Sequence, residues 1–330
     1  MNPESLPTSA LPPIYGPMGF GQILDRTFKL VRAHWRLYAR VALLPAFALA
    51  LMLVLLLGGM LLAFGPQMRG VQTPPNLLSI VLLAVGVVLV EIGLLLAAAL
   101  YMPAMHYAAI QTNRGAIRTA LQAYEVARQR FGRFLWLMVL LMLYMMVPLL
   151  AIVCALGIAA AGFHLFAGGD AQSMSLLLMP LFGIIYIGFL AYSVWIALRF
   201  SLCFAVCVDE QIPVSAALKR SVQLTRGAKG RIFVTLLVIY AILYAVTYVA
   251  LILLMLVGGG LGLLAVFALH VEQGTPAFFA LIGLAGLLYI GIIAVISMVN
   301  YIGMIAAIAI LYDDQKLRLN AAAGGEVSPA

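Results

Sequence analysis

The chain has 330 residues, 65% of them hydrophobic and 9% charged, with a formal net charge of +8. A soluble domain carries about 25% charged and 45–50% apolar residues, so a water-soluble fold of this size is excluded and lipid must be the solvent for most of the chain. The basic excess lies beside apolar runs, which points to anionic lipid headgroups as partner and away from nucleic acid.

Residues 1–18 are polar and proline-rich and lack the basic-then-apolar order of a secretory signal, so a disordered lead is expected there. A short amphipathic helix follows. Leu24, Phe28, Val31 and Trp35 recur at steps of four, three and four and form one apolar stripe, with Asp25, Lys29, Arg32 and Arg36 alongside. Such a helix suits the bilayer surface, with its apolar face in the acyl boundary and its basic residues among headgroups. A membrane-crossing helix needs about 20 apolar residues. Six stretches qualify, at about 41–63, 77–101, 135–161, 178–206, 232–257 and 277–311. They are helices and not barrel strands, because runs such as Leu49 to Leu57 are apolar on every face and do not alternate. A disordered tail is expected over 319–330.

The connections divide by charge. Seventeen basic residues lie before span one, between spans two and three, between spans four and five, or after span six. The opposite connections hold only Arg69, and Arg199 lies within span four. The positive-inside rule then places both termini and the two long loops in the cytoplasm, and the chain in a bacterial inner membrane.

The pattern also repeats at 96 to 98 residues. Leu30-Val31-Arg32 matches Val126-Ala127-Arg128 and Leu224-Thr225-Arg226. Gln111, Asp209 and Asp313 fall where the three even-numbered spans end. The expected fold is therefore all-α: a polytopic bundle of six transmembrane helices in three same-orientation repeats, each introduced by an amphipathic interfacial helix. The membrane domain covers 19–318, with repeats at about 19–112, 113–210 and 211–315. Repeats of this kind are parallel, unlike the inverted ones common in transporters.

The stretch from Val208 to Gly227 holds an acidic pair, Asp209-Glu210, a short turn, then Ala217-Leu218-Lys219-Arg220-Ser221 and Leu224-Thr225-Arg226-Gly227. This resembles the membrane-domain family of glycerophosphoryl diester phosphodiesterases, and Ile23-Leu24-Asp25-Arg26-Thr27-Phe28-Lys29-Leu30 is similar to that family's N-terminal helix. With the spans, the likeness covers about 19–318. Some members carry a separate soluble phosphodiesterase domain, and none is expected here, where a short tail follows span six. The matching motif contains no catalytic residue, so the resemblance implies a membrane fold and not catalysis.

Few residues suggest chemistry. Glu91 lies inside span two, where a carboxylate costs several kcal/mol unless it is neutral, paired or facing a cavity. A protonated carboxyl hydrogen-bonded inside the bundle explains it, and a proton or substrate site is the sharper alternative. Arg199 is a candidate partner, but the two differ in depth by about 15 Å in repeat register. Cys203 and Cys207 share a helical face without a nearby histidine, which suits packing more than zinc. The acidic residues Asp209, Glu210, Asp313 and Asp314 suit capping or salt bridges. No phosphate loop, nucleophile elbow, cofactor motif or metal motif appears. The expected function is non-enzymatic: a scaffold or envelope-homeostasis factor that touches anionic headgroups through Lys29, Arg32, Arg36, Arg128 and Arg226. The alternative is a small-solute or lipid transporter that uses Glu91.

Overall fold

The computed structural model describes residues 16–68, 77–116, 119–167, 171–268 and 276–322. The described residues are helical and contain no strand. In chain order the helices are α1 (Phe20–Met68), α2 (Leu77–Asn113), α3 (Ala120–Gln129), α4 (Phe131–Ala167), α5 (Ala171–Arg199), α6 (Cys203–Asp209), α7 (Val214–Thr225), α8 (Lys229–Ala268) and α9 (Pro276–Ala322). Six of them hold stretches long and apolar enough to cross a membrane. The protein is an all-helical membrane bundle.

Lipid takes the place of a conventional core over much of the bundle. Leu82, Ile158, Ile184 and Met255 are 62–74% exposed, although they sit in the middle of apolar helices. Apolar surface on this scale is stable only against hydrocarbon. Buried residues gather at one end, where α2, α6 and α9 meet with the starts of α1, α4 and α8. Ala104, Ala108 and Ala109 on α2 and Ala306, Ala307 and Ala309 on α9 are almost fully buried. Small side chains let helix backbones approach closely in a membrane, where apolar burial alone gives no drive to associate. Gly303 of α9 serves the same end: a Cβ there would stand 2.9 Å from a methyl of Leu243 on α8.

Several elements depart from the expected boundaries. The amphipathic helix at 20–33 is not separate from span one. The two run together in α1 and are broken only at His34, whose φ of −117° and ψ of 21° lie outside the helical region. Span four is not continuous, because α5 stops at Arg199 and α6 begins at Cys203. In the break, Ser201 donates its hydroxyl to the Leu198 carbonyl at 3.0 Å, a local bond that competes with the helix ladder. Cys203 through Val208 are all buried, so α6 turns into the protein interior. At the far end, α9 runs past residue 318 to Ala322.

The turns between helices have local causes. Gly115 takes φ +79° just after α2, Ala116 N–H donates to the Gln111 carbonyl and Gly115 N–H to Thr112, a C-terminal cap that only glycine adopts without strain. α3 opens on a capping box in which Thr119 and Gln122 exchange side-chain and backbone bonds.

The first turns of α1 show a face that hydrophobic patterning did not single out. Ile23, Thr27 and Leu30 are fully buried in the bundle. The stripe expected to be apolar faces outward at Phe28 and Trp35, which are 38% and 58% exposed. One apolar face thus meets protein, and the other is left exposed.

Candidate functional site: a charged cap at one end of the bundle

The ends of α2, α6 and α9 converge, and each delivers polar residues to the meeting point. Arg114, one residue beyond α2, lies between two carboxylates. Its Nη1 donates to Asp209 Oδ1 at 2.6 Å and its Nη2 to Asp209 Oδ2 at 3.0 Å. The same Nη2 donates to Asp313 Oδ1 at 2.7 Å. Neither carboxylate is more than 11% exposed, and Arg114 is 27% exposed. Burial by itself would lower the Arg114 pKa. The hydrogen bond to Asp209 and the charge of Asp313 reverse that and raise it above the ordinary arginine value.

Further donors complete the two acids. Asn113 Nδ2 donates to Asp313 Oδ2 at 2.7 Å, Tyr312 Oη to Asp209 at 2.8 Å and Lys316 Nζ to Asp209 at 3.1 Å. Arg26 of α1 joins through Asn113, with Nε on Asn113 Oδ1 at 2.7 Å and Nη2 on the Asn113 carbonyl at 2.8 Å. Glu210 accepts from Tyr312 at 3.1 Å and pairs with Arg220 of α7 at 3.4 Å.

A second knot surrounds Asp314, whose carboxylate is fully buried. Arg231 of α8 donates to it at 2.7 Å, Arg318 at 3.0 Å and the Met18 amide at 2.7 Å. Arg231 and Arg318 also donate to the Met18 carbonyl at 2.8 and 2.9 Å. Met18 is 8% exposed and belongs to the fold, although a disordered lead was expected to reach residue 18. Residues 1–15 lie outside the described residues. These contacts bring the stretch before α1, the loop after α2, the link between α6 and α7 and the end of α9 into one cap.

The residues singled out in the sequence fall in three places. Asp209, Glu210, Asp313 and Asp314 form the salt bridges expected of them. Gln111 does not share the acids' position. Its place in the network is taken by Asn113 and Arg114, which the sequence reading passed over as loop residues.

Glu91 and Arg199 are not brought together. Glu91 is exposed on α2 and makes no hydrogen bond or ion pair with any described residue, so the expected bond inside the bundle is absent. Arg199 ends α5 with its guanidinium 5.0 Å from the centre of the Trp195 ring, and Lys229 Nζ lies 5.4 Å from the same ring. Its Nε is buried without a partner. Because Glu91 supports nothing inside the bundle and lies in an apolar span, Glu91→Leu is expected not to lower folding stability, and Glu91→Gln to lower it by no more than about 0.5 kcal/mol. Thermal unfolding in detergent checks this. A loss above 5 °C (roughly 2 kcal/mol) would show that the carboxyl has a structural partner.

Lys29, Arg32, Arg36, Arg128 and Arg226 are all exposed. Lys29 pairs with Asp25 at 2.7 Å, and Arg36 lies 5.6 Å from the Trp35 ring centre. Cys203 and Cys207 are buried, Cys207 within reach of the charges of Arg130 and Arg133, and no metal-ligand cluster occurs among the described residues. One polar feature escaped notice: Asn300 of α9 donates to Thr247 Oγ1 of α8 at 2.7 Å, beside Ser297 in a small crevice of about 160 Å³.

Comparison with family models, with curated proteins and with solved structures finds no match.

Proposed function

We propose that this integral membrane protein is a non-enzymatic scaffold or envelope-homeostasis factor of the bacterial inner membrane. In this reading it acts through contacts with anionic lipid and with protein, and its termini and long loops lie in the cytoplasm. The observation that carries the reading is the outward basic and aromatic edge of α1. Lys29, Arg32 and Arg36 are exposed, and Trp35 lies beside them at 58% exposure. That combination suits the headgroup layer. The one-sided distribution of basic residues supports the orientation. The gathering of both described ends at one cap is consistent with it.

The acids of the cap fit this role. Asp209, Glu210, Asp313 and Asp314 are each held by an arginine or lysine, which suits a rigid support better than a group that must release and recapture a proton. The outward position of Glu91 favours the scaffold over a transport path through the bundle. The motif between Val208 and Gly227 supports a likeness to the membrane-domain family of glycerophosphoryl diester phosphodiesterases.

The test uses the full-length protein in lipid nanodiscs that contain mixed anionic and zwitterionic lipid. Lys29→Gln, Arg32→Gln and Arg36→Gln together should reduce enrichment of anionic lipid around the protein, by about 1 kcal/mol for each charge at low salt. The difference should shrink as salt rises and screening removes the attraction. Equal enrichment by wild type and triple variant at low salt rejects the reading.

A further inference from the structure

We propose that Arg130 and Arg133, at the start of α4, form a binding site for a phosphate oxyanion. The site is separate from the α1 edge and holds whichever way the bundle is oriented.

Arg130 occupies the turn between α3 and α4. Its carbonyl accepts the amides of Arg133 and Phe134 at 3.0 and 3.2 Å, so both side chains rise from the first turn of one helix. They converge on a single residue. Arg130 Nη2 donates to Gln211 Oε1 at 2.5 Å, and Arg133 Nη1 donates to the Gln211 carbonyl at 2.8 Å. Gln211 holds φ +57°, a left-handed conformation that is uncommon for a side chain of its kind.

Every acceptor in this arrangement is neutral. Neither arginine makes an ion pair with a described residue. The neighbouring acids are committed elsewhere, Asp209 to Arg114 and Lys316, and Glu210 to Arg220. The contrast within the cap is sharp. Arg231 is the third residue of α8, as Arg133 is of α4, and stands 98 residues after it, the period of the chain. Arg231 meets the buried carboxylate of Asp314, whereas Arg133 meets only the carbonyls of Gln211 and Ile212. Two positioned guanidiniums therefore lack the countercharge that Arg114, Arg220 and Arg231 possess in the cap.

Local features supply room and further donors. Arg130 Nη1 is buried with no acceptor, and a small rotation of the guanidinium toward a bound anion would supply one. A Cβ built on Gly132 would meet nothing within 4 Å, so space is open beside the first turn. A tetrahedral oxyanion with several acceptor oxygens matches two guanidinium forks better than a single carboxylate does. Trp136, 53% exposed a few residues further on, marks the level at which interfacial aromatics sit. A phospholipid phosphodiester and free inorganic phosphate share this chemistry.

The experiment uses full-length protein in detergent and compares wild type, Arg130→Gln with Arg133→Gln, Arg130→Lys with Arg133→Lys, and a charge-matched control, Arg40→Gln with Lys219→Gln. Native mass spectrometry reads retention of phosphatidylglycerol, and thermal unfolding at constant ionic strength reads stabilisation by inorganic phosphate over chloride. The glutamine pair is expected to weaken binding about tenfold, on the scale of one charge-assisted hydrogen bond. The lysine pair, which keeps the charge and loses the fork, should weaken it about threefold, and the control less than twofold. Selective loss of lipid retention assigns the site to a lipid headgroup, and selective loss of phosphate stabilisation assigns it to soluble phosphate. Should the glutamine pair fail to fold, the lysine pair carries the test. Binding of both probes equal to wild type overturns the proposal.

Discussion

Replacing Arg114 with methionine is expected to destabilise the protein by about 3–5 kcal/mol, the usual cost of stranding a buried charge by removing its partner. Here one side chain serves two acids, Asp209 at 2.6 Å and Asp313 at 2.7 Å, and each is about nine-tenths shielded. Without the guanidinium the two carboxylates face each other with only Asn113, Tyr312 and Lys316 as partners. The thermal midpoint in detergent should fall by roughly 6–15 °C. Asp209→Asn and Asp313→Asn introduced into the same background should recover part of the loss, because they remove the repulsion and keep the shapes. If Arg114→Met unfolds within 2 °C of wild type, the triad is not what holds the three helix ends together.

Asp314→Asn should have an effect of similar size by the opposite route. The carboxylate is fully buried, and its loss leaves Arg231 and Arg318 close together without their shared countercharge. A cost of about 3–5 kcal/mol is expected. Arg318→Gln should cost no more than about 1 kcal/mol, because that side chain is 38% exposed and solvent screens its pair. A local readout separates this knot from the Arg114 triad. The Met18 amide donates to Asp314, so hydrogen exchange of the segment after Met18 should rise at least tenfold in Asp314→Asn and change little in Arg318→Gln. Exchange equal to wild type in Asp314→Asn would show that the Met18 contact is incidental.

Much of the architecture was legible because a membrane helix announces itself by length and apolarity. Neither signal depends on knowing the neighbours. The break between Arg199 and Cys203 was not legible for the same reason: Phe200, Ser201 and Leu202 suit an apolar run, and no proline or glycine marks the turn. On the first interfacial segment, periodicity found an apolar face at Leu24, Phe28, Val31 and Trp35. It could not tell a lipid-facing stripe from the protein-facing one at Ile23, Thr27 and Leu30, because both solvents reward the same side chains.

The site was half visible. The alignment of Gln111 with Asp209 and Asp313 pointed at the right helix ends, and the acids meet there. Arg114 was missed because a basic residue next to a span reads first as a topology signal. A sharper sign was present. Two even-numbered spans end in acidic pairs, while the other ends in Asn113-Arg114, which is the complementary charge. Depth reasoning kept Glu91 and Arg199 apart, and the structure does not pair them. It gave no hint that Glu91 faces outward, since the direction of a side chain around a uniformly apolar helix is not encoded in its composition.

The grip of Asp314, Arg231 and Arg318 on Met18 also orders events during biosynthesis. Met18 and Asp314 are 296 residues apart in the chain. Met18 leaves the ribosome long before its acceptor exists, so the start of α1 keeps an unfinished attachment while the helices before α9 are made. Only the end of α9 closes the ring. Completion of the cap thus depends on α9, and a chain that stops short of it leaves Met18 and Arg231 without the Asp314 carboxylate.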